Sequence, residues 1–248
     1  NQLDFNNTFK KNVVYTSWSG DNVAFCLQKG GKFLNNIIRG GKAAIYMCKD
    51  VSVRRNIMYD STTNGIYLTL PSENVVIKRN TIYECGGSSI VIKNQVEHGP
   101  SLSYPYNIKL SHNTIYDAKV NSIELNDAVN VVIDNNNIAS TDNYGMYCLR
   151  CDKVIIRNNK ISSFKIAVWF ENTTNSLIRK NTFLSIYPDK GDNVIKLVSQ
   201  SNNNNIFENT TKGVLEHDLY PASDSINNQI YDNIYSKYLT YDDEIYVL

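Results

Sequence analysis

Val51-Ser-Val-Arg-Arg-Asn-Ile-Met-Tyr59, Val75-Val-Ile-Lys-Arg-Asn-Thr-Ile-Tyr83 and Ile108-Lys-Leu-Ser-His-Asn-Thr-Ile-Tyr116 are three copies of one phrase. Its pattern is apolar-x-apolar-x-x-Asn-x-apolar. The phrase recurs over Val131 to Ala139, Val154 to Ser162 and Ser176 to Leu184, with weaker copies at Asn209 and Asn233 and others around Asn7 and Asn36. The aligned asparagines are Asn56, Asn80, Asn113, Asn136, Asn159, Asn181, Asn209 and Asn233, spaced by 24, 33, 23, 23, 22, 28 and 24 residues. Self-similarity of this kind marks a solenoid.

A second alternating run follows each phrase: Gly65-Ile-Tyr-Leu68, Ser89-Ile-Val-Ile92, Ser122-Ile-Glu-Leu125, Gly145-Met-Tyr-Cys148 and Ala167-Val-Trp-Phe170. Leucine-rich repeats share a period near ~23 residues but carry a helix or 3-10 turn, and no 3.6-residue periodicity is present here. Two or three short strands per repeat make one turn of a single-stranded right-handed parallel β-helix, an all-β solenoid. About ten coils at a strand spacing of ~4.8 Å give a rod of roughly 45–50 Å. The 35 asparagines fit this reading, because Asn suits tight turns and left-handed backbone. Stacked at one bend, each Asn can bond to the Asn of the next coil, so the ladder is read as structural.

The 248 residues include 25 Lys and Arg against 24 Asp and Glu, a balance that argues against a nucleic-acid partner. No apolar run reaches the ~20 residues of a membrane span. The start at Asn1 shows neither an initiator Met nor a signal pattern, so the chain is expected to be a mature protein or part of a longer one. Residues 1–248 read as one domain, with an insertion at 94–107 and irregular coils at 211–248. Solenoids need caps, which that last segment, further residues or another subunit must supply. Five cysteines, including Cys148-x-x-Cys151, are too sparse for a disulfide scaffold and read as ordinary strand residues.

The repeat resembles that of the pectate-lyase-like superfamily. This group includes polysaccharide lyases and epimerases, glycoside hydrolases, phage tailspikes and bacterial surface β-helix proteins. The resemblance implies an extracellular, cell-surface or virion protein with a polysaccharide partner, monomeric, or trimeric if a tailspike. Calcium is the one cofactor it offers, although no acidic cluster of the pectate-lyase kind is evident. The Asn-Thr-Asp, Gly-His-Gly and Arg-Ile-Lys motifs of polygalacturonases and the Asp-Pro-His of alginate epimerases are absent, and Asp242-Asp243 alone does not make up such a set.

Strand alternation places Tyr46, Tyr67, Val91, Glu124, Tyr147, Trp169 and Lys196 outward in one column. A second outward column holds Cys48, Thr69, Lys93, Asn126, Leu149, Glu171 and Val198. Exposed aromatics suit the apolar faces of sugar rings, and carboxylates, amides and Lys suit hydroxyls or uronates. The substrate-binding candidates are therefore Tyr46, Tyr67, Tyr104, Tyr106, Asn126, Trp169 and Glu171. The insertion leaves from Lys93 and is expected to bring Glu97, His98, Tyr104 and Tyr106 to this face. Action on a uronate needs its carboxylate neutralised, a base for the C5 proton and an acid. Lys93 and Arg150 are candidates for the first task, and His98 or Tyr147 for the others. A hydrolase needs two carboxylates ~5–9.5 Å apart. Glu124 and Glu171 are expected at roughly 11–12 Å from the strand spacing, while Glu97 can approach Glu124. A third column, Arg54, Lys78, Lys109, Asp134, Arg157 and Arg179, reads as a solvated face that blocks lateral aggregation rather than a guide for an acidic polymer.

Overall fold

The computed structural model describes residues 4–16, 21–69, 71–94, 104–162, 164–184, 194–213 and 219–236. They form three parallel sheets wound into the expected β-helix, with no helix among the described residues. The first sheet holds ten strands from Thr8–Lys10 to Gln229–Tyr231, and the second ten from Val13–Tyr15 to Ile234–Ser236. The third holds nine, from Asp21–Cys26 to Leu219–Pro221. Strands one coil apart are hydrogen-bonded neighbours, so residues in equivalent positions of the repeat stack in register.

The corner between the first and second sheets explains the repeated phrase. The residue before each ladder Asn turns the chain at positive φ, as at Arg55 (56°), Arg79 (57°), His112 (56°) and Asn135 (55°). The Asn then points inward and is buried. Asn136 Oδ1 accepts from both the backbone N–H and the side-chain amide of Asn113, each at 2.9 Å. Its own amide donates to Asn159 Oδ1 at 2.9 Å and to the Leu110 carbonyl at 3.1 Å. The same bonds repeat from Asn36 to Asn233, so polar groups at a buried bend are paired coil by coil. A second, exposed amide ladder, Asp50–Asn74–Asn107–Asn130, lies at the turn into the first sheet.

Between the sheets lies one apolar column of buried Ile, Val and Leu, with Phe33, Phe170 and Phe183 fully enclosed. Cys48, Cys85, Cys148 and Cys151 are buried and form no disulfide among the described residues, and burial pushes the Cys151 thiol up to about 12.

Two sequence assignments shift by two residues. In the coil of Lys42–Tyr46, Ala43 rather than Ile45 pairs with Ile66, because the corner after Asn36 is shorter than that after Asn56. Tyr46 consequently faces Thr69 in the second outward column, and Cys48 is interior. In the third column, Lys78 pairs with Ser111, while Lys109 pairs with Val76.

Candidate functional site

The outer face of the third sheet carries two columns set by register. One reads Ala44, Tyr67, Val91, Glu124, Tyr147, Trp169, Lys196; the other reads Tyr46, Thr69, Lys93, Asn126, Leu149, Glu171, Val198. Two aromatic centres stand on this face with Glu124 between them. In the first, the Tyr67 ring lies 4.8 Å from Lys42 Nζ and 5.3 Å from Lys93 Nζ, with Tyr46 edge-on at 6.3 Å. In the second, the Trp169 ring packs on Tyr144 at 4.8 Å and Tyr147 at 6.5 Å, and Lys196 Nζ sits 4.7 Å over it. The negative face of a ring attracts the Lys93 and Lys196 ammonium groups without cancelling their charge as a carboxylate would.

The two acids differ in their partners. Glu124 accepts from Ser88 Oγ at 2.7 Å and from the Asn126 amide at 3.0 Å, with Asn121 at 3.4 Å. Among the described residues, three neutral donors and no cation hold the carboxylate. Glu171 accepts from the Tyr147 hydroxyl at 2.8 Å. Burial pushes the Tyr147 phenol well up, helped by that bond to Glu171 and by the charges of Glu171 and Glu124. The phenol is therefore protonated at neutral pH and placed to donate. Glu124 and Glu171 stand two strands and two residues apart, about 12 Å across the sheet.

Several buried polar atoms here have no hydrogen-bond partner among the described residues: Asn126 Oδ1, Trp169 Nε1, Asn94 Oδ1 and Thr69 Oγ1. Buried polar groups are normally satisfied, so such atoms mark unspent hydrogen-bonding capacity.

Not every candidate joins this face. Arg150 leaves the end of its strand at a positive-φ turn and makes a two-pronged bond to Asp127 at 2.7 and 2.8 Å, so its charge is already compensated. Tyr106 is corrected to the first sheet: it begins the strand Tyr106–Ser111, in register with Val129, and bonds to Glu73. The insertion re-enters the coil around the corner, beyond the face it leaves, and Tyr104 is exposed just before that strand. Glu97 and His98 lie outside the described residues. Conversely, Lys42, Ser88, Tyr144 and Lys196 belong to the face but were not among the candidates. Tyr144 precedes Gly145, where the alternation slips, so a period-two count passes over it. Among the described residues no three His, Cys, Asp or Glu side chains gather as a metal-ion cluster.

Comparison with known proteins follows the fold. The profile of the family described as "Right handed beta helix region" matches residues 3–103 and 98–248. No curated protein sequence matches significantly. Among solved structures, the chain is similar to the A-module of the Azotobacter vinelandii mannuronan C-5 epimerase AlgE4, with TM-score 0.66 and 16% identity over 85% of this chain. It spans 64% of that chain. PfbA, a surface adhesin of Streptococcus pneumoniae, superposes with TM-score 0.64 and 13% identity, covering 94% of this chain and 71% of its own. The DFA-IIIase of Arthrobacter chlorophenolicus A6 in complex with GF2 gives 0.58 and 12%, covering 86% and 62%.

Proposed function

The chain belongs to the right-handed β-helix family, and on that premise we propose that its third sheet is the working face of an extracellular polysaccharide-active protein. The observation that carries this reading is the aromatic cluster Tyr144, Tyr147 and Trp169, with Tyr147 and Trp169 in register on neighbouring strands. Lys196 and Glu171 flank it, and its buried indole N–H has no partner among the described residues. Aromatic faces take the C–H faces of pyranose rings, while adjacent charged and amide groups take hydroxyls and carboxylates.

Of the reaction types, proton transfer at a uronic acid suits the face better than two-carboxylate hydrolysis. By strand spacing the backbones of Glu124 and Glu171 stand about 12 Å apart, wider than the ~9.5 Å between the carboxyl groups of an inverting pair. Lys93, half-buried over Tyr67, supplies a cation for a uronate carboxylate, and Tyr147 supplies a held proton. With Tyr147 as the acid, His98 is the candidate for the base at C5. In such a lyase or epimerase the base removes the C5 proton, and the electron pair passes into the carboxylate-stabilised carbanion. In an epimerase the acid then returns a proton to C5 from the opposite face; in a lyase the carbanion pair forms the C4–C5 double bond as the C4–O bond breaks, and the acid protonates the departing oxygen.

The second reading is a non-catalytic glycan-binding rod, an adhesin or tailspike module. The same fold serves a protein described as a surface adhesin, so fold alone does not imply catalysis. A screen on uronic-acid and neutral glycans separates the two. Wild type is expected to bind and convert a uronate polymer. Trp169→Ala should weaken binding about tenfold or more, as loss of a central aromatic does. Tyr147→Phe, Lys93→Ala and His98→Ala should bind but lose roughly 10²-fold or more in turnover. Binding without conversion would leave only the rod reading, and no glycan binding at all would remove both.

A further inference from the structure

We infer that the corner between the first and second sheets, at the coils of Arg54 and Lys78, binds a multiply charged oxyanion of the sulfate or phosphate type. This face is separate from the third sheet, and the inference does not depend on the function proposed there. A cavity of about 230 Å³ at this corner is lined by Leu34, Asn35, Arg54, Arg55, Lys78 and Arg79. Four of its six residues are cations and none is an acid.

Their positions are fixed by register. Arg54 pairs with Lys78 on neighbouring strands, and Leu34 pairs with Arg54 on the other side. The next residue of each coil, Arg55 or Arg79, turns at positive φ, and the Arg55 N–H bonds to the Lys78 carbonyl at 3.2 Å. Two pairs of like charges thus stand about one strand spacing, ~4.8 Å, apart. Like charges directly opposite each other destabilise a sheet unless something compensates them.

Further along the same corner, compensation is present. Arg157 lies 3.3 Å from Asp134, and Lys180 lies 3.6 Å from Glu208. Arg39 and Arg150 elsewhere are likewise paired, with Asp60 and Asp127. Among the described residues, none of the four cations in the cavity has an acidic partner. Asp134 answers Arg157 in this column and no described acid answers Arg54, Arg55, Lys78 or Arg79 around their shared cavity, so the missing counter-charge there is assigned to a ligand.

Guanidinium forks with an ammonium match a tetrahedral dianion, which accepts several charged hydrogen bonds at once. One carboxylate would leave most of the charge unanswered, and a neutral sugar would leave all of it. A nucleic acid would need a long basic track, which a chain of net charge +1 does not provide. The oxyanion is either a free inorganic ion or an ester on a glycan, and the two are separable by experiment.

Thermal unfolding and calorimetric titration of the whole chain test the site with sodium sulfate, potassium phosphate, a sulfated oligosaccharide and a single-stranded oligonucleotide, all against sodium chloride at equal ionic strength. The variants are the exposed pair Arg55→Ala with Arg79→Ala and, for the other face, Trp169→Ala. Sulfate or phosphate should raise the wild-type midpoint beyond chloride, and the double variant should lose that shift. Its affinity for the inorganic ions should fall about tenfold or more, while Trp169→Ala leaves inorganic sulfate and phosphate binding unchanged. Tighter binding of the sulfated oligosaccharide than of inorganic sulfate, lost in the double variant and kept in Trp169→Ala, would assign the ester, and equal binding the free ion. The inference is overturned if the double variant responds like wild type, if chloride reproduces the shift, or if the oligonucleotide binds as tightly as the sulfated glycan.

Discussion

Asn136 has two intermolecular-like neighbours within one chain, the coil before it and the coil after it. Its amide oxygen takes two bonds from Asn113 and its amide nitrogen gives bonds to Asn159 and Leu110. Asn136→Ala strands donors and acceptors at a buried bend, at about 1–3 kcal/mol for each group left unsatisfied. Urea unfolding should show a loss of roughly 3–5 kcal/mol. The half-buried Asn233→Ala, near the end of the ladder, should lose less; equal losses would mean that burial does not set the cost. A second residue-scale expectation concerns acid. Asp134 is nearly buried, which raises its pKa, but Asn158, Arg157 and other donors outweigh that and hold it below the usual carboxylate range. A depressed folded-state pKa means stability that is present above the unfolded value and lost as pH falls through the folded one. Unfolding midpoints measured from about pH 6 down to about pH 3 should fall, and Asp134→Asn should reduce that slope below about pH 4. The ladder was legible because it repeats. The Tyr147–Glu171 and Ser88–Glu124 bonds were not, because they join neighbouring coils at positions that no repeat marks.

Strands are positioned here by their corners. Gly145 opens the strand Tyr144–Leu149, and a Cβ there would lie 2.7 Å from the Ala167 carbonyl and 2.8 Å from Ile161 Cγ2. Backbone and core must both shift to admit it, so Gly145→Ala should cost about 1–3 kcal/mol. Because the strand also carries Tyr147 beside Trp169, the variant should lose glycan affinity in step with stability. Unchanged denaturation with unchanged binding would show that the corner has slack. Register was readable wherever coils had equal corner lengths, as from Ile66 through Ile123. It slipped in the coil of Ala43, whose corner is short, and in the insertion, where Tyr106 turns into another sheet. A corner of changed length alters which residue faces outward without disturbing the apolar alternation that makes the strand visible.

At the scale of the molecule, each coil touches only its neighbours, so stability is close to a sum of coil and interface terms. Composition and period establish such a rod, but they do not say how cooperatively it opens. The ladders decide that. They run without a break from Asn36 to Asn233, so opening one coil strips hydrogen bonds from two others. Strands in the middle, such as Thr114–Ala118 and Asn137–Thr141, pair on both sides over buried Ile115 and Ile138. The strand Gln229–Tyr231 pairs with one described neighbour and is exposed along its length, and Ile234 in the next sheet is 64% exposed. Native-state hydrogen exchange should therefore show protection highest over the central coils and falling toward residues 219–236, where opening costs fewest contacts. In Asn136→Ala the central maximum should split, with amides on the two sides of the lesion exchanging at separate free energies. If protection instead stayed uniform and fell equally everywhere in the variant, the rod would be one cooperative unit and the ladder would add stability without dividing it.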